Sequence, residues 1–460
     1  MNSEKNNKLL LAGLGAALAC STTFAADPIG PFKWGADFRL RQERIDNVGL
    51  NADSPTGDRT FERYRARLWG SYAFDQHVEL TTRLMWEGRH YQDPSKSNWP
   101  VPGFETWYSG GILFDQLMVD IKQIAGLPLN ARLGRQDIKF GTGWLVMDGT
   151  PDDGSRTLYL DAARATYSAK AIGTTFDLVY IDQSADTGRF PQPLNGDVED
   201  QTEQDETGLI LYANNKSLLK DSDLDAYFIY KHDQPNPTTK NIRVNNGAPF
   251  ASQTDSGDIY ATGLRVDSKL SPNWSVRAEG AYEWGTRNNQ DLNAFGLNSR
   301  LTYSFNDRLK NQLHADYEYL SGNDPDSRGD EAFDPLWGRW PQWSELMVYQ
   351  WPLDSRVSEA TNLHRLNVGW ITQVHPTTQV TLDYHALWAD EMGTRYASQM
   401  ANISGDDRFR GHLFTGWIKT KFNKHVAGHL VAEYLMAGDY YAENRRNDSF
   451  FVRAEVSLTW

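Results

Sequence analysis

The chain predicts an all-β fold, a single antiparallel transmembrane β-barrel of about 18 strands, and three observations carry that reading. First, Phe450, Val452, Ala454, Val456, Leu458 and Trp460 alternate with Phe451, Arg453, Glu455, Ser457 and Thr459. Successive strand side chains point to opposite faces, so this is a strand with one apolar and one largely polar face, ending on an aromatic residue. Second, the same alternation recurs along the chain, with no Pro/Gly/Ser-rich linker to divide it. Third, long and short connections take turns. A barrel with long loops at one rim and tight turns at the other produces that pattern; a soluble sandwich or propeller does not.

The bulk properties agree. Mean hydropathy is −0.60, and beyond the N-terminus no apolar run reaches the roughly 18 residues of a membrane helix. That excludes a helical membrane protein but not a barrel, whose alternating strands average out as polar. Aromatic residues make up 12% of the chain, which suits interfacial girdles and also carbohydrate binding.

Lys5 and Lys8, the apolar stretch Leu9 to Ala19 and the site Thr23-Phe24-Ala25 predict a cleaved signal peptide over residues 1–25. Residues 26–460 are then the barrel. The single cysteine, Cys20, lies in the leader, in a context that lacks the leucine three positions earlier of a lipidation site. The mature chain therefore has no disulfide, thiol nucleophile or thiolate metal site. Removing Glu4, Lys5 and Lys8 takes the net charge from −14 to −15.

The strands are justified in order. They start near residues 33, 61, 77, 115, 129, 158, 174, 206, 222, 257, 273, 292, 309, 361, 378, 410, 425 and 449. The clearest come as hairpins. Tyr64, Ala66, Leu68, Gly70, Tyr72 and Phe74 make an outward row that resumes after Asp75-Gln76 with Val78, Leu80, Thr82, Leu84 and Trp86. The turns Ser271-Pro272-Asn273, Asn306-Asp307, His375-Pro376-Thr377 and Asn423-Lys424 join further pairs. Odd-numbered connections are mostly long: 46–60, 91–111, 141–157, 184–205, 234–256, 321–360 and 390–409. Both termini then share the tight-turn rim, the periplasmic side of a Gram-negative outer membrane. The closing strand is the expected contact with the barrel-assembly machinery.

Eighteen strands enclose more space than side chains fill, so the expected lumen is aqueous, narrowed by outer loops folding inward or by long side chains. With Phe32, Trp34, Ala36, Phe38 and Leu40 facing lipid, Lys33, Asp37, Arg39 and Arg41 face inward. The second strand adds Arg63, Arg65 and Arg67, and the third Glu79, Arg83 and Glu87. Further inward arginines are Arg132, Arg164, Arg265, Arg277, Arg300 and Arg365; inward acids are Asp267, Glu279, Glu283, Asp316, Glu318, Asp383 and Glu433. An arginine ladder attracts carboxylates and phosphates through the two-point guanidinium fork. The same residues also suit a salt-bridged wall that braces the barrel.

The longest loop, from Ser321 to Ala360, carries Trp337, Trp340, Trp343 and Trp351, which pack it against the barrel mouth or stack on sugar rings. Its Asp324, Asp326, Asp330 and Glu331 match no calcium-loop spacing and read as a solvated turn. No catalytic constellation stands out: His314 with Asp316, and Asp383 with His385, are pairs that arise readily in a polar lumen. No zinc spacing, phosphate loop or nucleic-acid signature is present, so the expectation is no cofactor, no metal, no catalytic residue and no nucleic-acid partner.

Several segments resemble the alginate-export family of outer-membrane barrels. Leu133-Gly134-Arg135-Gln136-Asp137-Ile138-Lys139-Phe140-Gly141 followed by Asp161-Ala162-Ala163-Arg164 is similar to the family's "GRQ…G" and "FDGAR" strands. Tyr319-Leu320-Ser321-Gly322-Asn323-Asp324-Pro325 with Phe333-Asp334-Pro335-Leu336 resembles its "ASGD…FD-L" loop, and Gly411-His412 with Gly438-Asp439-Tyr440 its "GHE…PGDY" pattern. The chain departs from that pattern at Leu413, where the family has an acid, and at the terminal Trp460, where it more often has Phe. The Asn423-Lys424 turn leaves no room for a periplasmic plug. The resemblance implies an 18-stranded barrel with an arginine-lined pore for an anionic polysaccharide, with Arg135 and Arg164 as lumen residues inside the matched motifs. The expected function is thus passive passage of anionic solutes across the outer membrane, with acidic polysaccharide or its oligosaccharides first. A general or cation-tolerant porin and a sealed barrel acting as adhesin or receptor are the alternatives.

Overall fold

The computed structural model describes residues 32–54, 57–93, 107–147, 158–235, 254–338, 341–356 and 359–460. The leader expected over 1–25, Trp340 and parts of several long connections lie outside the described residues. The strands are β1 (Phe32–Asp46), β2 (Arg59–Ala73), β3 (Val78–Asp93), β4 (Trp107–Ser109 continued by Leu113–Ile121), β5 (Leu129–Gln136) and β6 (Leu160–Ala169). They continue with β7 (Thr174–Gln183), β8 (Asp205–Asn215), β9 (Ser222–Gln234), β10 (Gly257–Lys269), β11 (Trp274–Arg287) and β12 (Gln290–Ser304). The last six are β13 (Gln312–Leu320), β14 (Leu363–His375), β15 (Thr378–Trp388), β16 (Phe409–Lys421), β17 (Val426–Ala437) and β18 (Ser449–Thr459). The two pieces of β4 lie end to end along β3, which pairs with both.

Each strand is antiparallel to its sequence neighbours, and β1 also pairs with β18, from Asp37 opposite Thr459 to Asp46 opposite Phe450. The sheet therefore closes as an 18-stranded barrel, as expected. Closure is what lets strands stand in lipid, because it leaves no edge of unpaired N–H and C=O groups. The outward rows carry the apolar side chains: Leu68, Tyr72, Phe74, Leu301, Leu366, Phe414 and Leu430 are all exposed on the wall.

The two rims differ. Both described ends of the chain lie at the rim of tight turns; the other rim carries the long loops. One connection at the loop rim is tight: Asn288 and Asn289 link β11 to β12 with φ of 53° and 63°, the left-handed pair of a two-residue hairpin.

The long loop between β13 and β14 does not stand up from the rim. It folds into the lumen, carrying the short helix α1 (Leu346–Gln350). Leu346, Met347, Val348, Trp351 and Leu353 pack there with Ile210, Ile229 and Ile259 of the wall. Trp337 pairs backbone to backbone with Leu145 and Met147 of the β5–β6 connection, which also turns inward (3.0 and 3.2 Å). Trp337 and Trp351 are 1% and 2% exposed, so they pack the loop into the barrel. An aromatic side chain buries about 150–250 Å², worth several kcal/mol at roughly 25 cal/mol per Å², so this seating is not marginal. Asp330, expected in a solvated turn, is instead buried and bidentate to Arg287 (2.7 Å to each oxygen), because the loop descends past the end of β11.

The loop fits because two wall positions carry no side chain. A Cβ at Gly208 would stand 2.2 Å from the Trp337 ring, and one at Gly296 2.6 Å from Phe333. Gly208→Val and Gly296→Val are expected to cost about 1–3 kcal/mol each by overpacking. They should raise the proteolysis rate of the 321–362 loop while leaving the barrel's strand content, read by circular dichroism, unchanged.

Candidate functional site

The lumen wall is built from opposed charges. Across β1 and β2 the register sets Arg39 opposite Arg65 and Arg41 opposite Arg63. Four guanidiniums in one patch are costly, since like charges about 4 Å apart repel by about 4 kcal/mol at an effective dielectric of about 20. Carboxylates are therefore interleaved. Arg41 holds Glu455 of β18 at 2.6 Å, Arg63 and Arg453 both reach Glu43 at 3.5 Å, Arg67 holds Asp37 at 2.8 Å, and Arg39 meets Glu87 at 3.6 Å. Arg39, Arg41, Arg63 and Arg65 are 3%, 0%, 5% and 7% exposed. The ladder lies packed within the wall.

The same pairing runs around the barrel. Arg83 bridges Asp115 and Asp137, Arg132 takes Asp120, Arg164 takes Asp177, Arg265 takes Asp225, Arg300 takes Asp316 and Arg365 takes Glu318. Arg135 also has a carboxylate, Asp161 at 2.9 Å, but it departs from the lumen placement. It stands two residues from Leu133 and opposite Asp161, in line with Tyr167, and both Leu133 and Tyr167 are exposed on the outer wall. Arg135 thus belongs to the outward row, where it donates to the backbone carbonyl of Phe114 and lies 3.7 Å over the Tyr159 ring. The lumen position was implied by the family resemblance; alternation counted from inward Arg132, three residues earlier, puts Arg135 on the outer face.

Of the thirteen candidate arginines, twelve have a carboxylate within 4 Å. Arg277 is the exception: its register partners are Arg300 on β12 and Asp267 on β10, and it forms no ion pair within 4 Å among the described residues.

Arg277 borders a lumen cavity of about 840 Å³. The cavity runs from Lys419 and Thr381 near the turn rim to a roof of Trp144, Trp343 and Ser344. The roof is pinned by Glu433 of β17, which accepts hydrogen bonds from the Ser344 hydroxyl (2.5 Å) and from the amides of Glu345 (3.0 Å) and Leu346 (3.1 Å) at the start of α1. On the cavity wall His314 meets Asp383 at 2.7 Å, and His385 lies 3.4 Å from an Arg365 nitrogen. The paired residues singled out along single strands thus join across β13 to β15 instead.

Lysines at the turn rim differ from the arginines. Lys33, Lys269, Lys419 and Lys421 stand in lumen rows, are exposed, and form no ion pair among the described residues. Only Lys33 was singled out from the sequence. The signal for Lys419 and Lys421 was there, two and four residues beyond Trp417 on the inward face. The exposed turn residues Lys170, Lys220, Arg308, Lys310 and Lys424 stand at this rim with Asp75, Asp221 and Asp307, whereas the loop rim exposes Asp53, Asp197, Asp326, Asp406 and Asp407 with Arg189, Arg328, Arg408 and Arg446.

A buried ion network locks the inward loop. Arg395 bonds Asp255 (2.7 Å) and Glu359 (2.6 Å), Arg356 bonds Asp255 (2.8 Å), and Arg287 bonds Asp330. Burial pushes the Asp255 carboxyl up, but Arg356 and Arg395 outweigh it and hold it well below the usual range. Glu359 is raised by burial and lowered further by Arg395 and Arg356, and Asp330 is raised by burial and lowered further by Arg287. None of these network arginines was singled out from the sequence, because charges far apart in the chain meet only when three loops converge.

Comparison with known proteins adds the following. The profile of the alginate export family matches residues 31–454. No curated protein matches the sequence. Among solved structures, Pseudomonas aeruginosa OccK2 (OpdF), solved in complex with glucuronate, is similar with a TM-score of 0.55 and 11% identity, over 94% of this chain and 99% of that one. Pseudomonas aeruginosa OccD3 (OpdP) gives 0.54 and 12%, over 95% and 92%. Pseudomonas aeruginosa OprD gives 0.54 and 10%, over 93% and 95%. At these identities the likeness is one of fold.

The depressed carboxylates set the pH dependence of the loop lock. A group whose folded value lies below its unfolded value stabilises above the unfolded value, about 4, and loses that contribution as pH falls through the folded one. Hydrogen exchange in segments 321–338 and 389–408 is expected to stay slow from neutral pH to about pH 4 and to accelerate below it, beyond the intrinsic pH effect. Arg395→Gln should release the same segments at neutral pH, at a cost of about 3 kcal/mol for stranded buried carboxylates.

Proposed function

Because the chain belongs to the alginate export family, we propose that it is an outer-membrane channel for anionic solutes, with acidic polysaccharide or its oligosaccharides, such as alginate, as the first candidates. Family and fold are those of transport channels. The observation that carries the anionic reading is the set of unpaired lumen lysines at the turn rim, Lys33, Lys269, Lys419 and Lys421, beside Arg277. Unpaired cations at the mouth of a low-dielectric tube concentrate anions there, whereas neutralised pairs do not. Residues 1–25 act as the export leader, and the turn rim faces the periplasm. Anions are then drawn in from the periplasmic side.

The arginines of β1 and β2 take the other role weighed for them. They are buried and ion-paired, which supports bracing of the seam over contact with solute. The packed loop core favours a second reading, a barrel sealed at rest that serves as adhesin or receptor.

Planar-bilayer recording separates these. Ohmic steps with a reversal potential of anion preference under a KCl gradient are expected; absence of conductance would sink the channel, and cation preference would sink the anion path. Replacing Lys33, Lys419 and Lys421 with Glu together should shift the reversal potential toward cation preference. Reversing Arg63, Arg65 and Arg67 together should instead abolish the heat-modifiable folded band on gels, because it strips Asp37 of both its partners and sets three new carboxylates beside Asp37 and Glu43.

A further inference from the structure

We propose that the β7–β8 connection carries a lipid-seated strap: its residues 188–198 lie across the outer face of the barrel and present Phe190 and Leu194 to the membrane leaflet at the loop rim, between acyl chains and headgroups. This needs the closed barrel in a bilayer and is independent of what the lumen passes. The base of the strap is closed by backbone bonds from the Thr187 amide to the Glu199 carbonyl (2.8 Å) and from the Gln201 amide to the Ala185 carbonyl (2.6 Å). From there the strap runs back over the wall from β7 to β4. Arg189 bonds Asp182, in the outward row of β7, at 2.7 Å. The Pro191 carbonyl accepts from Arg135 of β5 at 3.4 Å. The Leu194 amide donates to the carbonyl of Ile112, in the break of β4, at 2.7 Å, and the Asn195 side chain accepts from the Ile112 amide at 2.9 Å. Pro193 is buried, and Gly111 makes room for it: a Cβ there would stand 3.1 Å from Pro193 and 2.8 Å from the Asp197 carbonyl oxygen.

The height of the strap on the wall identifies its partner. Register puts Tyr180 of β7, Ala163 of β6 and Leu133 of β5 in one line around the barrel. Tyr180 and Leu133 are exposed on the outer wall, so that line faces lipid. Asp182 and Arg135, which hold the strap, stand two residues further along the same strands, about 7 Å toward the loop rim. The strap thus continues the lipid-facing surface at the level of a barrel's aromatic girdle. Its inner side packs on the Arg135–Asp161 pair (2.9 Å), while its outer side leaves Phe190 86% and Leu194 63% exposed. Phe190 is the most exposed large apolar side chain among the described residues. Water is a poor solvent for such a pair, and lipid at the girdle is the medium that covers it. Gln192, Asn195 and Asp197, also exposed, suit the headgroup side. Arg135 thereby gains a role on the outer face: it ties the strap to the wall, and the strap screens its charge from lipid.

The test uses the full-length chain with Cys20→Ser, which removes its one cysteine, reconstituted in dioleoylphosphatidylcholine vesicles. Single spin labels are placed at Phe190→Cys, at Leu194→Cys, at Leu178→Cys on the lipid-facing wall and at Asp406→Cys on the loop rim. Collision rates with oxygen and with a water-soluble nickel chelate give the depth of each label. Labels at 190 and 194 are expected about 5–10 Å into the boundary between headgroups and acyl chains, shallower than the label at 178 and shielded from nickel, unlike the label at 406. Gly111→Val should unseat the strap and turn both labels aqueous. Heat-modifiable gel mobility checks folding, and Leu194→Cys carries the test alone if Phe190→Cys does not fold. Aqueous readings at both positions in folded protein overturn the proposal, as does a depth that Gly111→Val leaves unchanged. Dipolar broadening between labels at high dilution in lipid would assign this face to a second copy of the chain and overturn it as well.

Discussion

Everything in this barrel depends on the hydrogen-bonded seam between β1 and β18. In lipid an unpaired backbone amide costs several kcal/mol, so a sheet of this length is stable only if its first and last strands meet. They meet from Asp37 opposite Thr459 to Asp46 opposite Phe450. The seam also sets side chains: it brings Glu455 to Arg41 and Arg453 to Glu43, so the closing strand supplies charges that the first strand lacks.

From that seam the lumen follows a single electrostatic rule. A guanidinium row is tolerable only where neighbouring strands return carboxylates to it, and register decides which ones. The result is a wall stiffened by cross-strand pairs, with mobile charge left at its turn rim. Arginine serves the first role because its planar fork gains two bonds per ordered side chain; lysine serves the second because its ammonium stays strongly hydrated. Paired wall charge and exposed rim charge are in this way carried by different residue types at different depths.

The loop end follows a different logic. There the lumen is filled by apolar side chains of the β13–β14 loop and sealed by a buried ion network. Between the seated loop and the turn rim lies the cavity of about 840 Å³.

Local alternation determined much of this protein by itself. Strand number, starts to within a few residues for every strand but β4, closure and the rim of each connection all follow from a period-two pattern, because in a barrel the solvent on each face is constant along a strand. The inward position of Arg39, Arg63, Arg265 or Arg300 was legible for the same reason. Only the tertiary structure decided which charges are cancelled, that Arg277 forms no ion pair among the described residues, and that the long tryptophan loop fills the lumen. Those depend on register between strands and on the meeting of loops far apart in the chain, and neither is encoded in the periodicity of any one segment.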